Sequence, residues 1–65
     1  MTVEEIWLEI LGSEAALDRG FLENGGDSFR AVLLTTRLFE VTSREIDYLD
    51  VLEAKNVEDV RKFIC

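Results

Sequence analysis

The run Asn24-Gly25-Gly26-Asp27-Ser28-Phe29 hands a serine from a glycine-rich loop to the start of an apolar helix. A serine so placed has an exposed hydroxyl, and the helix N-terminus behind it offers unpaired N–H groups with a partial positive charge. Those two properties suit a serine that carries a phosphate group. Plain helix capping also produces Gly-Asp-Ser before many helices. The arrangement of the rest of the chain has to decide between the two readings.

Working outward, Asp27 can cap a second helix expected over 28 to about 40. Its apolar residues fall on two faces. At about 100° per residue, Ala31, Leu34 and Leu38 gather on one side, and Phe29, Val32 and Leu33, with Thr36, gather on the roughly opposite side. Only one face can be fully buried in a small helical domain. The other, beginning beside Ser28, reads as a docking strip; the bland alternative is a central helix touching neighbours on both sides.

Upstream, Thr2 with Glu5 three residues later forms a capping-box pattern. Val3, Ile6, Trp7, Ile10 and Leu11 follow at helical spacing, and Gly12 is a natural stop. A long first loop then runs to Asp27, with room for a short helical turn near 14–17 and with Phe21 and Leu22 expected to pin it to the core. A loop of this length in so small a domain is often functional. Downstream, a polar linker is expected over 41–47, and Tyr48, Leu49, Val51 and Leu52 suggest a short helix. Asn56, with Asp59 three residues later, can cap a last helix whose core face is Val57, Val60, Phe63 and Ile64. The expected fold is all-α: three main helices, a short third helix and a long first loop, in one domain over 1–65.

Seven basic against fourteen acidic residues give a net charge of −7. Nucleic acid is a poor partner for such a chain, because binding it requires neutralising phosphates. The acidity suggests either solubility alone or steering toward basic proteins. No stretch is apolar enough to span a membrane and no basic signal-peptide start is present, so the cytosol is the expected location. Met1 directly before the first cap and an end at Cys65, flush with the last helix, suggest a trimmed domain; Cys65 itself reads as a neutral boundary residue.

Catalysis by the chain itself finds no support. Histidine is absent, so a serine triad is excluded and a zinc site is not expected, and Lys55 and Lys62 are the only lysines. A P-loop needs lysine after its glycines, where Asp27 stands, and an EF-hand loop starting at Asp18 would end on Phe29 instead of glutamate. Ser28 therefore reads as a substrate for another protein's chemistry.

The chain resembles the acyl and peptidyl carrier protein family, the thiolation domains of nonribosomal peptide and polyketide synthases. The resemblance is centred on Phe21-Leu22-Glu23-Asn24-Gly25-Gly26-Asp27-Ser28-Phe29, two apolar residues, a spacer, then Gly-Gly-Asp-Ser and an apolar residue. Ala31, Leu34, Arg37 and Leu38 match the family's second helix, and Leu52-Glu53-Ala54 followed by Val57, Asp59 and Val60 resembles the segment before its last helix. Lys55, Asn56, Thr42, Ser43 and Asp47 depart from the usual residues.

The resemblance implies a four-helix carrier bundle, a non-catalytic monomer. A phosphopantetheinyl transferase, using coenzyme A and magnesium, would attach phosphopantetheine to Ser28. The arm would then hold aminoacyl or acyl groups as thioesters for adenylation, condensation, ketosynthase or thioesterase domains. Gly25 and Gly26 would allow a tight backbone and access for the transferase. Asp27 would cap the helix, with contact to the transferase or its metal as a further role. Phe29, Val32, Leu33 and Thr36 would form the docking face. Arg30 and Arg37 against Glu40 distinguish this second helix from the strongly acidic one of fatty-acid carriers and favour the peptidyl subclass and apolar docking. The competing function is an unmodified, carrier-like interaction module.

Overall fold

Four helices build the chain in the order α1 (Val3–Leu11), α2 (Ser28–Thr42), α3 (Tyr48–Glu53) and α4 (Val57–Ile64) in a computed structural model that describes residues 2–64. The reading of Cys65 falls outside the described residues. Each helix begins where a short polar side chain satisfies N–H groups that the first turn leaves unpaired. Thr2 and Glu5 close the capping box over α1: the Glu5 N–H donates to the Thr2 hydroxyl at 3.2 Å, and the Thr2 N–H donates to the Glu5 carboxylate at 3.0 Å. That backbone N–H, and then the Thr2 hydroxyl, hold the Glu5 carboxyl below the usual glutamate range. Asp47 accepts from the Leu49 N–H to start α3, and Asn56 accepts from the Asp59 N–H to start α4. In reply, the Asp59 carboxylate accepts the Lys55 N–H at 2.9 Å.

The core is the sum of one stripe from each helix and one residue of the long loop. Val3, Ile6 and Trp7 come from α1, Ala31, Leu34 and Leu38 from α2, Val51 from α3 with Ala54 directly after it, Val57 and Val60 from α4, and Phe21 from the loop. Trp7 and Phe21 meet edge to face, with ring centroids 5.6 Å apart and planes at 76°, the arrangement that aromatic quadrupoles favour. α2 packs on both α1 and α3, and α1 also packs on α4. Ion pairs lace the rims: Arg37 of α2 reaches Glu9 of α1, and Arg61 of α4 joins Glu4 of α1 and its own neighbour Glu58. These pairs are about a third or more exposed and contribute little to stability.

Four local expectations are corrected. α2 runs two residues past 40, to Thr42, whose hydroxyl donates to the Leu38 carbonyl at 2.7 Å. Ser43 then closes it in the left-handed region at φ 60°, its N–H on the Phe39 carbonyl. The polar linker therefore starts at 43. No helical turn forms near 14–17, because the backbone groups there have partners elsewhere: Ala16 bonds to Asn24, and the Leu17 carbonyl accepts the Val57 N–H at 3.0 Å. Leu22 is exposed, pointing away from the core that its neighbour Phe21 enters. Phe63 is exposed as well, since it lies roughly 60° beyond Val60 and 120° from Val57 around α4, at the edge of the buried stripe.

Candidate functional site

Besides its bonds to Val57 and Trp7, the 12–27 loop is held at three places close to the start of α2. Phe21 sinks into the core, with its N–H on the Ala54 carbonyl at 3.3 Å. A tight turn follows, closed by Asn24 N–H to Gly20 carbonyl, Gly25 N–H to Leu22 carbonyl and Gly26 N–H to Phe21 carbonyl, all within 3.0–3.1 Å. The Asn24 carboxamide is the second anchor. Its oxygen accepts the Ala16 N–H at 2.8 Å, and its nitrogen donates to the carbonyls of Ala16 and Gly20 at 2.9 Å, with Arg19 carbonyl at 3.3 Å. Third, the Arg30 guanidinium reaches back from α2 to the Gly25 carbonyl at 3.2 Å.

The glycine pair is required for two different reasons. Gly25 has φ +82°, where a side chain is strained. Gly26 lies against the Phe21 ring: a Cβ there would sit 2.4 Å from two ring carbons and 2.8 Å from the Phe21 carbonyl. The backbone can pass over the buried ring only without a side chain. Asp27 then caps α2, its carboxylate accepting the Arg30 N–H at 2.9 Å.

Ser28 is the first residue of α2 and is exposed. Among the described residues its own N–H and that of Phe29 have no hydrogen-bond partner. The serine hydroxyl thus stands in solvent beside free donors at the positive end of a fifteen-residue helix. Such a position accommodates a phosphate ester. The charge of Asp27 works against an anion here, and Arg30, two residues on, works for it.

Phe29, Val32, Leu33 and Thr36, the four residues of the sequence-derived strip, are all exposed on α2, with Phe29 72% open. The opposite face of Ala31, Leu34 and Leu38 is fully buried. Exposed apolar side chains extend further than the sequence suggested, to Phe39 on the same helix and to Tyr48 and Leu49 at the start of α3. Phe39 lines a shallow groove with Thr36, Ile46 and Asp47. Sequence reasoning missed Phe39 although it lies seven residues, about 20°, from Val32 on the same side of α2. It also passed over Asn24, for which an asparagine directly before a glycine pair was the available signal.

No cluster of potential metal ligands is found among the described residues, and no helix there is long and apolar enough to cross a membrane. A family model described as a phosphopantetheine attachment site matches residues 2–64. No solved structure matches the chain.

Proposed function

The chain belongs to the family of phosphopantetheine attachment sites, and from that premise we propose that Ser28 is its acceptor residue, in a carrier domain of nonribosomal peptide or hybrid polyketide synthesis. A covalent phosphopantetheine and a carrier role come with the family, whose members are generally not catalysts. The observation that carries the choice of residue is the placement of Ser28: exposed, first in α2, and flanked by two free N–H groups.

The residues present fit the group. In the transfer, the Ser28 oxygen gives up its proton and bonds to phosphorus of coenzyme A, and the bond to the departing adenosine 3′,5′-bisphosphate breaks. The free N–H groups of α2 face the new phosphodiester charge. Once attached, the arm supplies a thiol that holds acyl or aminoacyl groups as thioesters. Asp27 acts before the product forms, as the helix cap and as a contact for the transferase or its magnesium, since its charge opposes the phosphodiester. In this reading the domain works in the cytosol as a monomer, and Phe29, Val32, Leu33 and Thr36 meet the transferase and the adenylation, condensation, ketosynthase or thioesterase domains that follow. Arg30 and Arg37 against Glu40 support the peptidyl subclass, because a partner reading a strongly acidic α2 finds none here.

The test is intact mass after incubation with coenzyme A, magnesium and a broad-specificity phosphopantetheinyl transferase. One added phosphopantetheine is expected. No gain on folded protein with two different transferases would leave an unmodified interaction module as the function. The docking face has its own test in Phe29→Ala. Because the ring is 72% exposed, stability should change by less than about 0.5 kcal/mol. Loss of an aromatic anchor should raise the transferase KM by about tenfold. An unchanged KM would remove Phe29 from the docking face.

A further inference from the structure

We propose that Asn24 is the positioning residue for phosphopantetheinyl transfer, presetting the loop from which Ser28 is presented; the inference rests on Ser28 being the acceptor. Asn24 is half-buried, and its carboxamide bonds the backbone of three other loop residues at once. The Gly20 carbonyl accepts both the Asn24 side-chain nitrogen and its backbone N–H. The Ala16 carbonyl accepts both that nitrogen and the Trp7 indole N–H at 3.2 Å. A continuous hydrogen-bonded path therefore runs from a fully buried tryptophan of α1 through Ala16 to Asn24. From there only Gly25, Gly26 and Asp27 intervene before Ser28.

The physical need for such a device follows from the loop itself. Sixteen residues without regular structure precede α2, and two of the last four are glycines, which lose the most conformational freedom on ordering. A transferase that must bind the loop in one shape meets a weaker effective ligand if only a fraction of molecules hold that shape, and apparent affinity falls by that fraction. Asn24 keeps the fraction near one in the free domain. Its role is thus expressed in binding of the carrier, and the chemical step at Ser28 is untouched.

The experiment measures kcat and KM of the transferase for the parent, Asn24→Ala and Asn24→Asp, by intact mass against carrier concentration. Far-UV circular dichroism confirms the helices of each, and the single tryptophan's indole N–H resonance reports the Ala16 contact. In Asn24→Ala, KM should rise by about tenfold or more with kcat within about twofold, and the indole resonance should shift. A purely structural role would lower the melting temperature and leave both constants of the folded protein unchanged. That result, with a parent that is modified normally, overturns the proposal.

Asn24→Asp preserves shape and covers the case in which the alanine variant does not fold. At neutral pH its carboxylate faces carbonyl oxygens and donates nothing. Protonation returns one donor. Its KM relative to the parent should therefore shrink toward one as pH falls, and a pH-independent ratio of one counts against the proposal. A parent that takes no phosphopantetheine would instead defeat the Ser28 reading, and this inference with it.

Discussion

Ser28→Ala is expected to lose all phosphopantetheine uptake while keeping the fold. The chain has two other serines, Ser13 and Ser43, and neither can substitute. Ser13 lies in the turn after α1, with no helix N-terminus behind it. Ser43 stands at the C-terminal end of α2 in the left-handed conformation, where the helix dipole is negative and opposes a phosphate. The structural cost of the substitution is small. Among the described residues, the Ser28 hydroxyl makes no hydrogen bond, the capping oxygen belongs to Asp27, and alanine is a good residue inside a helix. Stability should move by less than about 0.5 kcal/mol. Intact mass under conditions that fully convert the parent is the readout, with a thermal melt beside it. A variant that melts like the parent and still gains one arm would transfer the acceptor role to another hydroxyl and sink the assignment of Ser28.

How far the chain could be read in advance followed the range of the interactions involved. Caps are decided within three or four residues, so Thr2, Asp27 and Asn56 were legible from spacing alone and stand at the starts of α1, α2 and α4. The two faces of α2 were equally legible, because burial follows a fixed angular period. The loop was not. Whether 14–17 turns helical depends on whether distant groups claim its backbone, and Asn24 and Val57 do so. Likewise, the requirement for glycine at 26 comes from the position of the Phe21 ring, which no local rule supplies. Phe63 marks the same limit at the other end: its residue type suits a core, and only the width of the buried stripe on α4 leaves it outside.

Phe21→Ala should damage the fold severely, because one side chain joins the core to the loop that presents Ser28. Its ring is fully buried, meets Trp7 edge to face and forms the surface over which Gly26 passes. Removing a buried aromatic ring costs about 3–5 kcal/mol. A domain of 65 residues has only about 3–10 kcal/mol in total, at roughly 0.05–0.15 kcal/mol per residue. The variant should melt at least about 12 °C lower, by the shift of about 4–8 °C per kcal/mol typical of small domains, and urea unfolding followed by Trp7 emission should show most of its stability gone. Uptake of phosphopantetheine should fall as the presenting loop loses its anchor. A milder pair of changes isolates the contact itself. Gly26→Ala drives a methyl group into the Phe21 ring and should cost about 1–3 kcal/mol, whereas in a Phe21→Leu background the same methyl meets a smaller, more yielding side chain. The cost of Gly26→Ala should shrink in that background, a coupling expected only of residues in direct contact. Equal costs in the two backgrounds would mean that the ring is not what excludes a side chain at 26, and the glycine would then have to be explained by access for the transferase alone.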